Sequence, residues 1–125
     1  MTGLPDFDTP DLAAAVERLA PGLIDALPFG AVRLDTAGAV VVFNRTEAAQ
    51  SGYGSRPAVG RHFFTEIAPC MDNAAFRGRI ERALASGKLD IAFSHIGDFD
   101  DRGRILDVRV QSAAGGGSWI FLRRG

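Results

Sequence analysis

The sequence predicts an α+β fold: a five-stranded antiparallel sheet with helices on one face and an N-terminal helical cap. Three observations carry that prediction. Apolar residues recur at helical spacing before residue 28, β-branched runs follow from Phe29 to Phe43, and three more strand-like runs fill the chain after residue 88. Between the two strand groups lie helical segments, the longest at 74–86. A hairpin, then helices, then a three-strand meander closes into a sheet with helices laid against it. With 125 residues, 46% of them hydrophobic, the chain suffices for one core. The expected division is a cap at 1–28 and a core at 29–125, one domain overall.

Each element has its own signal. Thr9 can cap the first helix, Pro10 suits its first turn, and Asp11 complements its dipole. Leu12, Val16 and Leu19 then mark one face, with Pro21-Gly22 as the stop. A short second helix is expected at 23–27. The runs 31–35 and 39–43 read as strands, and Thr36-Ala37-Gly38 is the tight turn that makes them a hairpin. Asn44 and Thr46 offer caps for a short helix through Glu47, Ala48, Ala49 and Gln50. Residues 52–60, with three glycines and Pro57, read as loop. Residues 63–71 form a compact apolar connection containing Ala68-Pro69-Cys70. In the helix at 74–86, Phe76, Ile80, Ala83 and Leu84 share a face while Arg77, Arg79, Glu81 and Arg82 point outward, and Gly87 ends it. The last strands are 89–95, with Leu89, Ile91, Phe93 and His95 in phase, then 105–111, then Ser118 to Leu122.

Composition narrows the partners. A net charge of −1 supplies no electrostatic footprint for nucleic acid or an anionic membrane. No run reaches the roughly eighteen apolar residues that span a bilayer. Residues 1–9 lack the basic start of a secretory signal. The expectation is a cytoplasmic monomer without nucleic-acid or membrane partners. One cysteine can build neither an intramolecular disulfide nor a zinc site by itself. His62 and His95 have no ligand-spaced partner, and no metal is expected. Gly115-Gly116-Gly117 precedes a strand, so it is a turn and not a nucleotide loop.

Two residues could carry chemistry. Cys70 is either a small buried hydrophobe or a reactive thiol. Pro69 and Asp72-Asn73 place it in a turn just before a helix, where the dipole favours the thiolate. Glu47 is either an exposed helix carboxylate or a pocket residue. Buried in a pocket, it would be kept protonated and would donate a hydrogen bond. Ser51, one turn later, would share its face.

In order along the chain, these segments resemble the photoactive yellow protein family of PAS domains. The resemblance rests on Leu27-Pro28-Phe29-Gly30-Ala31-Val32-Arg33-Leu34-Asp35, Phe43-Asn44 with Glu47, and Val59-Gly60-Arg61-His62-Phe63-Phe64. Most specific is Glu66-Ile67-Ala68-Pro69-Cys70, with Ala85-Ser86-Gly87 and the closing Trp119-Ile120-Phe121-Leu122-Arg123-Arg124. It implies a blue-light photoreceptor, not an enzyme, with 4-hydroxycinnamic (p-coumaric) acid held by a thioester at Cys70. Its phenolate would be met by protonated Glu47, and Val32, Phe63, Ala68 and Pro69 would complete the pocket. Light would isomerise the double bond, Glu47 would give up its proton, and an unidentified downstream signalling protein would read the change. The sequence departs from the family pattern at several places. Phe43 stands where a phenolate-binding tyrosine is expected, Ser51 for a threonine, Tyr53 for an arginine over the ring, and His95 for a tyrosine. The loop at 97–103 carries Asp98, Asp100 and Asp101 where apolar residues are partly expected. The alternatives are a chromophore-free PAS interaction or dimerisation module and, more distantly, a cysteine-dependent enzyme.

Overall fold

A computed structural model describes residues 4–98 and 101–124. Five strands form one antiparallel sheet: β1 Gly30–Leu34, β2 Val40–Phe43, β3 Asp90–Asp98, β4 Asp101–Ser112 and β5 Ser118–Arg124. Their order across the sheet is β2-β1-β5-β4-β3. The chain's last strand is thus the central one, and five of its residues, Ser118 to Leu122, are buried in sequence.

That continuous burial follows from two covered faces. Val32, Leu34, Leu106, Val108, Val110, Ile120 and Leu122 point to a main core shared with Phe63, Phe64, Ile67, Ala68, Met71, Phe76 and Ile80. The residues between them, Ala31, Trp119 and Phe121, join Phe7, Leu12, Val16, Ile24, Leu27 and Phe29 in a second cluster. Period-two alternation therefore sorts one strand's side chains into two cores. Helices α1 (Leu12–Glu17) and α2 (Pro21–Asp25) belong to the second cluster, while α4 (Arg77–Ala85) covers the first.

The hairpin forms as its sequence requires. Asp35 accepts hydrogen bonds from Ala37 N–H and Ala39 N–H, and Gly38 takes a φ of 89° to close the turn. Asn44 caps α3 (Arg45–Ser51) by accepting from Glu47 N–H, and Gly52 ends it in the left-handed region at φ 80°. The apolar connection becomes a π-helical turn, Phe63–Ile67, capped by His62, and a 3₁₀ turn, Pro69–Met71.

Several boundaries differ from expectation. Thr9 does not cap α1: its hydroxyl accepts from Asp6 N–H, and Asp11 occupies the cap position without a side-chain bond. Pro21 opens α2 rather than stopping α1, consistent with a fixed φ at the first helical position. Helix α4 begins at Arg77, not at residue 74, because Asn73 captures Phe76 N–H in a turn of its own. Leu84 leaves the apolar face and is 54% exposed. The expected loop at 97–103 is largely strand, with β3 reaching Asp98 and β4 starting at Asp101; Asp100 lies outside the described residues.

Candidate functional site

Cys70 occupies the middle of the 3₁₀ turn, half-buried, packed against the main core together with Phe43, Ile91 and Phe93. The later start of α4 removes the adjacent helix N-terminus that the sequence suggested for it. Asn73 Nδ2 donates to Cys70 O at 2.9 Å and fixes the turn. Of the expected lining residues, Val32, Tyr53, Phe63 and Ala68 are members of the same core, and Phe43 packs on its edge. Pro69 is exposed. It shapes the turn from outside.

Aromatic rings fill the space around this core. Phe43 meets Tyr53 edge-on at 5.4 Å, Phe64 meets Phe63 at 5.1 Å, and Phe76 contacts both Phe93 at 5.4 Å and His95 at 5.1 Å. Tyr53 donates its hydroxyl to Pro57 O at 2.8 Å, and the Arg56 guanidinium lies 4.3 Å over its ring. Ser51 Oγ accepts from Tyr53 N–H at 3.1 Å. A cleft of about 330 Å³ lies elsewhere, between the β1–β2 turn and α4, lined by Gly38, His62, Phe64, Arg77 and Ile80 among others.

Glu47 is fully buried, so the exposed alternative is ruled out. It is not held as an isolated neutral acid, however. Arg124 Nη1 and Nη2 donate to its two carboxylate oxygens at 2.6 and 3.0 Å, and the side chains are 0% and 3% exposed. A guanidinium is always charged and offers donors alone, so this fork describes a carboxylate ion pair. Removing one partner from such a buried pair costs about 3–5 kcal/mol, because the other charge is stranded.

The local fold builds this pair. Asn44 Oδ1 accepts from both Ala31 N–H and Glu47 N–H, while its Nδ2 donates to Ile24 O and Phe29 O. It therefore ties α3 to β1 and to the cap. A Cβ on Gly30 would land on the Glu47 carboxyl, so the absence of a side chain there makes room for the acid. Leu122 faces the main core, and Arg124, two residues on, returns to that face. The sequence reading gave Arg124 no role. The signal was its strand phase, which places a cation on a buried face.

The family model described as "PAS fold" matches residues 24–117. The photoactive yellow protein of Rhodothalassium salexigens is 33% identical over 94% of this chain and 95% of its own. That of Cereibacter sphaeroides is 31% identical with the same coverage. The crystal structure of the photoactive yellow protein domain from the sensor histidine kinase Ppr of Rhodospirillum centenum superposes with a TM-score of 0.79. It is 37% identical and covers 89% of this chain and 98% of that one. A PAS domain from Colwellia psychrerythraea, 16% identical with a TM-score of 0.63, shares the fold alone. With a five-stranded PAS sheet, a half-buried cysteine at the core edge and these relatives over nearly its whole length, the chain belongs to the photoactive yellow protein family.

Proposed function

We propose that this chain is a blue-light photosensor that carries p-coumaric acid as a thioester on Cys70. The supporting observation is the placement of the sequence's one cysteine, half-buried at the edge of the aromatic core between sheet and helices. Half-burial suits both tasks: the thiol must meet an activated acyl donor, and the product must then be sheltered. Cys70 Sγ would hold the acyl group as a thioester, the activated p-coumarate giving up its leaving group and the thiol its proton. When bound, the group would supply a blue-light-absorbing phenolate conjugated to a double bond that isomerises.

The chain's own residues divide the remaining work. Val32, Phe63 and Ala68 exclude water, and Phe43 and Phe93, only partly buried, are the rings at the edge that can turn aside. In this reading Glu47, fully buried and at present paired with Arg124, is the carboxyl that would meet the phenolic oxygen. Ser51 accepts from Tyr53 N–H and keeps its own hydroxyl proton to donate, which suits a second phenolate donor where Phe43 has none. Tyr53, committed to Pro57 O and stacked under Arg56, walls the site.

Incubation with an activated p-coumarate should add one acyl group by intact mass and produce a near-ultraviolet or visible band. Cys70→Ala and Cys70→Ser should abolish both. Acylation that persists in Cys70→Ala would remove Cys70 from the site. The ring-filled interior favours a second reading, a chromophore-free PAS interaction module, and a wild-type protein that takes up no acyl group would establish it.

A further inference from the structure

A groove of about 600 Å³ runs between α4 and β3. Arg79, Arg82, Ala83 and Ser86 line one side of it, at the i, i+3, i+4, i+7 spacing of a single helix face. The run Asp90 to Phe93 lines the other. Side chains of a strand alternate between faces, so consecutive residues can share one groove only along the strand's edge. That edge is open, because β3 ends the sheet order and pairs with β4 alone. One row of its backbone N–H and C=O groups therefore points outward, into the groove.

An open edge is usually blunted by a charge, a proline or a bulge. On β3 the irregular register comes late, between Ile96 and Asp98. Residues 91–96 before it contain no proline, acid, lysine or arginine. The charge lies across the groove instead. Arg79, Arg82 and Lys88 are all exposed, and among the described residues none of them is paired with a carboxylate. Arg79 donates its Nε to Ala75 O and rests 5.1 Å over the Phe93 ring, and Arg82 reaches only Ala74 O. Asp90, the acid among the lining residues, accepts from Gln111 Nε2, on the sheet face that carries the N-terminal cap.

The geometry points to a docking site for an extended acidic segment of a partner protein, which adds a sixth strand beside β3 and sets its carboxylates against Arg79, Arg82 and Lys88. Main-chain pairing supplies the affinity of such an added strand, and the flanking side chains supply its specificity. Ile91 and Phe93, half-buried on the α4 side, give the segment an apolar floor between the cations. A nucleic acid or an anionic lipid surface would meet the cations but leave the edge amides unpaired. Three cations without an anion favour an acidic occupant over a second copy of an uncharged edge.

The test uses the chromophore-free full chain, so it stands apart from the test of Cys70. The probe is a fluorescent peptide of about ten residues that alternates Glu with Val, followed by anisotropy. The Glu peptide should bind, and a Lys–Val peptide should not. Combining Arg79→Glu, Arg82→Glu and Lys88→Glu should weaken binding about tenfold or more. If that variant does not fold, Lys88→Glu alone, outside helix and strand, should show a smaller loss in the same direction. Raising ionic strength from about 0.1 to 1 M, which shortens the screening length from about 10 to 3 Å, should also weaken it. Methylating every second backbone nitrogen of the peptide should abolish binding in one phase and leave it intact in the other, since only one row of N–H groups can face β3. A Glu peptide that does not bind, or that binds equally with either phase methylated, would overturn the inference; the second result would mean charge attraction without strand addition. Protection of the β3 amides by dimerisation of the protein alone would assign the edge to a second copy and overturn it too.

Discussion

His95 lies on the core face of β3, buried, with its ring edge-on to Phe76. Burial, and secondarily the nearby Arg79 charge, push its pKa below the usual histidine value. The unfolded chain, at about 6.5, therefore binds a proton more readily than the folded one. Stability contributed by neutral His95 is complete above about pH 6.5 and is lost as pH falls toward the depressed folded value. Urea unfolding at pH 7.5 and pH 5 should show wild type losing more stability on acidification than His95→Phe; equal losses would mean that the imidazole protonates without resistance. At this scale the sequence was partly legible. Strand phase alone placed His95 on the core side, and the segment Ala68-Pro69-Cys70 marked the thiol. Glu47 was legible as a residue worth weighing but not as half of an ion pair, because its partner lies 77 positions away. Only register brings Arg124 beside it. Phe43 meets Tyr53 through a ring contact that no spacing rule announces.

The short helix α3 depends on a single side chain to an unusual degree. Asn44, 1% exposed, caps it and also bonds Ala31 N–H, Ile24 O and Phe29 O. Asn44→Ala should cost about 2–4 kcal/mol, since it removes a cap and strands buried backbone groups on two neighbouring elements. Asn44→Asp should recover the two accepted bonds but not the two donated ones. Chemical denaturation of the three proteins measures this ranking, and a loss below about 1 kcal/mol in Asn44→Ala would mean that water replaces the side chain. Capping chemistry made α3 readable from the sequence. The same chemistry misled at Thr9, whose hydroxyl serves a turn instead of a helix, and at 74–76, where Asn73 delays α4. Short polar side chains satisfy either a turn or a helix end, and local sequence does not choose between them. The π-helical turn at Phe63–Ile67 left no periodic trace because it is only five residues long.

For the whole molecule, the sequence presents β5 as one strand among five, whereas its placement makes it the wall between two cores. Five antiparallel strands and their helices follow from pattern and turn chemistry; the central position of the last strand does not, since pairing order is a long-range property. The N-terminal segment is fastened over the second core by polar as well as apolar contacts. Arg109, on β4, donates to the carbonyls of Phe7 at 2.7 Å, Thr9 at 2.6 Å and Pro10 at 3.0 Å. Gln111 adds a bond to Pro10 O and accepts from Ala13 N–H. Arg123 lies 4.4 Å over the Phe7 ring. Three carbonyls converging on one guanidinium leave the cap with a small number of points at which it can detach as a unit. Arg109→Ala should therefore accelerate amide exchange through α1 while the amides of β4 and β5 keep their protection. The global loss should be about 1–3 kcal/mol, set by carbonyls that turn to water instead of remaining stranded. Arg109→Lys should fall between the two proteins, because an ammonium cannot span three acceptors in one plane. If α1 exchange is unchanged in Arg109→Ala, the apolar contacts of Phe7, Leu12 and Val16 hold the cap by themselves; if sheet protection falls equally, cap and sheet unfold as one unit.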